Sequence, residues 1–127
     1  MLNFEKLRKS SKPNCWLAAP AHLLRESVPN TAGPVLPPPP AATFEALQKL
    51  LEEDPSVSDI EVDEANLQLS YVAKVWVFKD DVDVKLGETN SHKTELAIYS
   101  RSRVGYSDFG VNKRRVEKLI ADLSAAL

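Results

Sequence analysis

A run of serine, arginine and aspartate near the C-terminus is the part of this sequence best equipped for chemistry. Residues 99–115 read YSRSRVGYSDFGVNKRR. The two glycines in this run predict a tightly shaped loop, because glycine adopts backbone conformations that other residues avoid. A helix starting after the loop would present free N–H groups that, together with the arginines, could bind an anion. The alternative is structural: Asp108 pairs with Arg103 or Arg115 and pins the loop to the helix.

Asp80 is the acidic residue that could join these side chains in a cleft. It shares strand parity with the apolar residues that follow it, and the same parity turns Ser100 and Ser102 towards the core. A carboxylate on that side must be hydrogen-bonded, ion-paired or protonated. The functional interpretation is a cleft that holds Asp80, both serines and Arg103 at one end of a sheet. The alternative is a bulge or turn at residues 79–80 that points the acid outward.

The chain contains few of the sequence motifs that are typical of catalytic sites. No histidine is placed as a base for either serine, and neither a Gly-x-Ser-x-Gly elbow nor a Walker-type phosphate loop is present. Asp80 and Asp108 are the pair that acid catalysis could use. Cys15, the single cysteine, could be a nucleophile, but burial as a small apolar side chain is the better interpretation. The sequence favours a non-catalytic role and leaves an enzyme open.

Composition excludes several classes of protein. The chain has 127 residues, with 16 Lys and Arg against 18 Asp and Glu and a formal net charge of −2. This length predicts one domain, and this charge argues against nucleic-acid binding. One cysteine and two distant histidines predict no intrachain disulfide and no metal site. No cofactor is expected either. Without a membrane-length apolar run or a signal-peptide core, we expect a cytoplasmic protein with no membrane span, for which peripheral membrane or envelope association stays open.

The prolines predict a division of the chain near residue 42. Seven of the nine prolines lie between Pro20 and Pro40. Because proline fixes φ and lacks an N–H donor, residues 1–42 are predicted to form an extended Pro-rich strap. This segment has a net charge of +3 and contains several apolar side chains, so we expect it to lie along the acidic body rather than to form a free linker.

Residues 43–127 are predicted to form a single α+β domain. Phe44, Leu47 and Leu51 recur at helical spacing after Thr43, a suitable N-cap, and this helix should end before Pro55. Alternating apolar residues predict four strands between residues 60 and 104, with the stretch 67–86 readable as one bulged strand or as a hairpin. Trp76 lies in an apolar run and is expected in the core.

A second helix is predicted at the C-terminus. Val116, Leu119, Ile120 and Leu123 form an apolar stripe, and Asn112 is a suitable N-cap. The order helix, four strands, helix predicts an antiparallel four-stranded meander with two helices packed on one face.

Residues 99–115 resemble the signature of the domain-of-unknown-function family DUF1499. The shared residues are Ser100, Ser102, Arg103, Gly105, Ser107, Asp108, Gly110, Val111, Asn112 and Arg115. Residues 12–15 (KPNC) resemble the family's Pro-Asn element, and residues 78–82 (FKDDV) resemble its aromatic-x-Asp strand segment. Many members have an arginine where this chain has Tyr99, and a second cysteine before the Pro-Asn-Cys element, so neither feature is carried over. The resemblance covers about residues 12–126 and implies a shared arrangement of residues, but no reaction.

These features together predict a non-catalytic binding or accessory domain that recognises an anionic ligand or an acidic partner surface through residues 101–115. The predicted ligand-binding residues are Asp80, Ser100, Ser102, Arg103, Ser107, Asp108, Asn112 and Arg115. One alternative is a small hydrolase-like enzyme that uses Asp80, Ser102, Arg103 and Asp108. Another is a structural subunit of a membrane-associated complex.

Overall fold

Six strands and two α-helices form an α+β fold in the computed structural model, which describes residues 1–127. The helices are α1 (Pro40–Glu53) and α2 (Val111–Ala126). The strands are β1 (Cys15–Ala18), β2 (Val35–Leu36), β3 (Val57–Asp63), β4 (Gln68–Val75), β5 (Phe78–Glu88) and β6 (Thr94–Ser102). Neither helix combines the length and the apolar character needed to cross a membrane.

The sheet has six strands, so the predicted four-stranded sheet is wrong in its strand count. The strand order is β1-β6-β5-β4-β3, and β2 also pairs with β6. All of these pairings are antiparallel. The two additional strands come from the proline-rich part of the chain, where β1 contains no proline and β2 fits between Pro34 and Pro37. Strands of four and two residues are too short to show an alternating pattern, which is why the sequence did not reveal them.

Residues 67–86 form a hairpin in which Trp76 and Val77 make the two-residue turn between β4 and β5. Val75 lies opposite Phe78 at the end of this ladder. The prediction that Trp76 lies in the core is wrong, because 83% of the residue is exposed. The sequence did not predict this turn, because the turn lies within an apolar run and contains none of the usual turn residues glycine, asparagine or proline.

Both helices begin at positions that differ from the predicted ones. Helix α1 begins at Pro40, since a proline is tolerated at the first helical position, where its missing N–H would have no partner. Thr43 is therefore inside the first turn, and its hydroxyl donates to the Pro39 carbonyl oxygen at 3.1 Å. Helix α2 begins at Val111 after Gly110, whose φ is 81°, so Asn112 is not the N-cap.

Each face of the sheet carries its own apolar cluster. On one face, both helices pack against alternate residues of β4, β5 and β6, and the fully buried members include Phe44, Leu47, Leu69, Val84, Ile98, Val116 and Leu123. On the opposite face, Ala97 and Tyr99 of β6 pack against N-terminal residues, namely Phe4, Leu7, Cys15, Leu17, Ala19 and Leu24. The N-terminal residues thus cover a face of the sheet that the helices leave open.

Candidate functional site

A buried polar network lies beneath the start of α2, with Asn112 at its centre. The Asn112 side chain is fully buried, and its Oδ1 accepts a hydrogen bond from Ser100 Oγ at 2.6 Å. Its Nδ2 lies 2.6 Å from Asp108 Oδ2 and 2.9 Å from both Ser102 Oγ and the Asn14 carbonyl oxygen. The network therefore ties β6, the N-terminal residues and the loop before α2 to one side chain.

Arg115 connects this network to Asp80. Its Nη1 lies 2.7 Å from Asp80 Oδ2 and also donates to Ser100 Oγ at 3.2 Å and to Asn112 Oδ1 at 2.9 Å. Asp80 is 3% exposed, on the core side of β5 opposite Ser102. A carboxylate buried to this extent needs a charged partner, and Arg115 is that partner.

Asp108 caps helix α2. Its two oxygens accept hydrogen bonds from the backbone N–H groups of Gly110, at 2.8 Å, and of Asn112, at 3.0 Å. Burial acts to raise the pKa of Asp108, but the hydrogen bonds from Asn112 and Gly110 outweigh burial and hold the pKa below its usual value. The chain itself thus supplies an anion at the helix start. A general acid needs a raised pKa, so this environment does not suit Asp108 for proton donation at neutral pH.

Arg103 and Ser107 are the two predicted residues that lie outside the network. Arg103 directly follows β6 and lies on the opposite face of the sheet, where its Nε and Nη2 pair with the Asp81 carboxylate at 3.1 and 2.9 Å. Ser107 is exposed, and its hydroxyl accepts a hydrogen bond from the Phe109 N–H at 3.4 Å. The predicted cleft of Asp80, two serines and Arg103 does not form, because successive side chains of a strand point to opposite faces.

The face that carries Arg103 has a depression of about 510 Å³. Two arginines line it, Arg101 and Arg103, and each is paired with an aspartate of β5. Asp59 and Glu61 line it as well, so acids outnumber arginines there. This depression is therefore a poor place for an anion.

A cleft of about 490 Å³ opens beside the buried network, on the helix side of the sheet. Its apolar lining consists of Leu51, Val57, Tyr71, Ala73, Val75, Val111 and Leu119. Its charged lining consists of Asp54, Arg114, Arg115, Lys118 and Asp122. Burial raises the pKa of Tyr71 although the Arg115 charge opposes this, so the Tyr71 hydroxyl stays protonated and can donate a hydrogen bond. The sequence did not reveal this cleft, because its walls come from four separate elements. We call it the α2 cleft.

The His, Cys, Asp and Glu side chains form no group of three or more that could hold a metal ion.

Comparison with known proteins adds one family and two solved structures. The sequence model of a family described as "Protein of unknown function (DUF1499)" matches residues 8–123. No curated protein sequence matches the chain. The crystal structure of Ara h 8.0201 is similar with a TM-score of 0.48 and 15% identity, covering 74% of this chain and 90% of that one. The crystal structure of TTHA0849 from Thermus thermophilus has a TM-score of 0.39 and 15% identity, covering 75% of this chain and 88% of that one.

Proposed function

Because this chain belongs to the DUF1499 family, whose function is unknown, we propose a function from its geometry: a non-catalytic binding domain for a small anion with an apolar body. The observation that carries the proposal is the α2 cleft, which combines an apolar wall with basic side chains from one helix. Its volume of about 490 Å³ falls within the range of pockets that hold small molecules.

The basic side chains of the cleft retain donors for a ligand. Arg115 uses Nη1 for Asp80, and Arg114 uses Nη1 for the Phe109 carbonyl oxygen at 3.0 Å. A guanidinium group has five N–H donors, so each arginine keeps further N–H groups for a carboxylate or a phosphate. Lys118 is paired with Asp122 on the neighbouring turn of α2 and contributes less.

The apolar wall defines the other half of the ligand. Val57, Val75 and Val111, which are each at least partly exposed, provide a surface on which an aliphatic or aromatic group would be removed from water. The Tyr71 hydroxyl, which stays protonated, is a further donor along this wall. An amphipathic anion such as an aryl carboxylate, a short fatty acid or an alkyl phosphate matches this lining better than inorganic phosphate does.

The same geometry favours binding over catalysis. Asp80 and Asp108, the acids of the enzyme alternative, are held by Arg115 and by the amide groups at the start of α2. Ser100 and Ser102 are engaged with Asn112. A catalytic group must be free to exchange a proton or to attack a substrate, and these four side chains are engaged in holding α2 to the sheet.

Thermal unfolding with a panel of aryl carboxylates, short fatty acids and alkyl phosphates tests this proposal. A matching ligand at a hundredfold excess over its dissociation constant should raise Tm by about 5–10 °C. The variant Arg114→Gln should lose most of this rise, because Arg114 is exposed and lies outside the buried network. The matched control Arg103→Gln, on the other face of the sheet, should retain the rise. The proposal fails if no member of the panel raises Tm, or if both variants lose the rise equally.

A further inference from the structure

A group of exposed apolar side chains lies at the end of the β4–β5 hairpin. Trp76 and Val77 form the turn, with 83% and 69% of each residue exposed, and Val75 and Phe78 flank them. Monomeric proteins rarely expose four consecutive apolar residues at the tip of a hairpin, where no core contact holds them. Folding alone therefore does not explain why the β4–β5 turn consists of exposed apolar residues.

The loop after β6 adds more apolar side chains at the same end of the sheet. Val104, Tyr106 and Phe109 are all exposed, and 87% of Phe109 is accessible. The two segments are neighbours, because the Arg103 N–H donates to the Lys79 carbonyl oxygen at 3.4 Å. We call the two segments together the apolar rim, defined by Val75, Trp76, Val77, Phe78, Val104, Tyr106 and Phe109.

The backbone conformation at the apolar rim indicates that its aromatic residues do not stabilise the fold. Trp76 has a φ of 57° and Phe109 a φ of 54°, both in the left-handed region. Two-residue hairpin turns with positive φ normally contain glycine or asparagine, because larger residues are strained there. Trp76 and Phe109 therefore each have a disfavoured backbone conformation, although their side chains are almost fully exposed to solvent.

Two lysines stand directly behind the turn. Lys74 of β4 lies opposite Lys79 of β5, and both are exposed. Like charges opposite each other across a strand pair destabilise a hairpin. Residues 74–79 read KVWVFK and contain no acidic side chain, and Asp81, two residues after Lys79 on the same face of β5, is already paired with Arg103. The arrangement places two positive charges just behind the apolar residues, where a negatively charged surface would neutralise both.

We propose that the apolar rim docks onto a membrane surface that carries anionic lipids. Tryptophan, tyrosine and phenylalanine suit the boundary between headgroups and acyl chains, and lysines behind them would meet the headgroup phosphates. The tip of a two-residue turn is convex, so a fluid lipid surface can close around it, whereas a protein partner would have to offer a matching pocket. The docking is peripheral and does not require a ligand in the α2 cleft.

Sedimentation with lipid vesicles tests this inference. The full chain should bind vesicles of phosphatidylcholine and phosphatidylserine, and should bind vesicles of phosphatidylcholine alone much more weakly. Trp76→Ser should reduce the partition coefficient by about tenfold or more, because the chain loses the indole that would enter the membrane. Lys74→Gln should reduce it about fivefold. Val28→Ser is the matched control, because Val28 is 78% exposed and belongs to neither loop, and it should bind like the unaltered chain.

Fluorescence gives a second readout that does not depend on sedimentation. In a Trp16→Phe chain, the emission of Trp76 should shift to shorter wavelength when phosphatidylserine vesicles are added, as the indole leaves water. The inference is overturned if neither vesicle binds, if both bind equally, or if Trp76→Ser binds as well as the unaltered chain. It is also overturned if the apolar rim joins two copies of the chain. In that case the chain would form a dimer that Trp76→Ser abolishes and that added vesicles do not dissociate.

Discussion

The carboxylate of Asp80 lies 2.7 Å from the guanidinium of Arg115, and this pair joins β5 to helix α2 where both side chains are largely buried. Ser100 and Asn112 accept further hydrogen bonds from the same Arg115 nitrogen. Half of the ten residues that carry the family resemblance between residues 99 and 115 therefore hold the C-terminal helix to the sheet. The resemblance marks an internal framework, and the proposed ligand cleft lies beside it.

Removing the arginine from this pair should be costly. Arg115→Met leaves Asp80 as an uncompensated buried charge, and we expect the free energy of unfolding to fall by about 3–5 kcal/mol. The double variant Asp80→Asn with Arg115→Met should recover part of that loss, because the buried charge is gone. Urea unfolding at neutral pH measures both.

Arg103→Met is the control for this comparison. The Arg103–Asp81 pair is about half exposed on the opposite face, so its loss should cost about 0–1 kcal/mol. Equal losses for Arg115→Met and Arg103→Met would contradict the structural role assigned to the Asp80–Arg115 pair.

Asp108 should make stability depend on pH at acidic values. Hydrogen bonds hold the pKa of Asp108 lower in the folded chain than its ordinary value of about 3.9 in the unfolded chain. Its contribution is therefore fully present above about pH 4 and is lost as pH falls through the folded pKa. Asp108→Asn should lower stability at pH 7 by about 1 kcal/mol, and the difference from the unaltered chain should shrink below pH 4.

Urea unfolding at a series of pH values checks this prediction. Ser107→Ala serves as the control in the same loop, because Ser107 is exposed and does not titrate. A deficit in Asp108→Asn that stays constant from pH 7 to pH 3 would mean that the ionised carboxylate does not cap the helix.

The features that the sequence predicts well are those with a long repeating pattern. Helix α2 carries an apolar stripe through Val116, Leu119 and Leu123, and all three are buried in the structure. The α+β class and the DUF1499 resemblance are confirmed. Asp80 shares a face with Val82 and Val84, which follows from a strand period of two and requires no knowledge of the tertiary fold.

The features that the sequence missed depend on short segments or on several elements at once. The same parity that turns Ser100 and Ser102 inward turns Arg103 outward, so that error could have been avoided from the sequence. Trp76 could not have been placed as easily, since a turn made of apolar residues looks like a continuing strand. The α2 cleft depends on how α1, α2 and two strands pack together, and no local pattern contains that information.

The N-terminal residues should contribute strongly to stability. Phe4 is 2% exposed in the cluster that includes Tyr99 of β6, and replacing it by alanine removes most of its apolar contact. We expect Phe4→Ala to lower the free energy of unfolding by about 3 kcal/mol or more. Val28→Ala, at an exposed position of the same segment, should change it by less than about 0.5 kcal/mol. Similar small values for both would show that the N-terminal residues do not pack on the sheet in solution.

Cys15 should react slowly with alkylating reagents in the folded chain. Its thiol lies 3.6 Å from the carbonyl oxygens of Ser10 and Lys12, and burial raises its pKa while a hydrogen bond with Tyr99 partly opposes this. Since the thiolate is the reactive form, iodoacetamide at pH 7.5 should modify native Cys15 at least about tenfold more slowly than the same cysteine in urea. Mass spectrometry of timed samples measures both rates. A native rate equal to the unfolded rate would make Cys15 an accessible nucleophile and would contradict its interpretation as a buried small side chain.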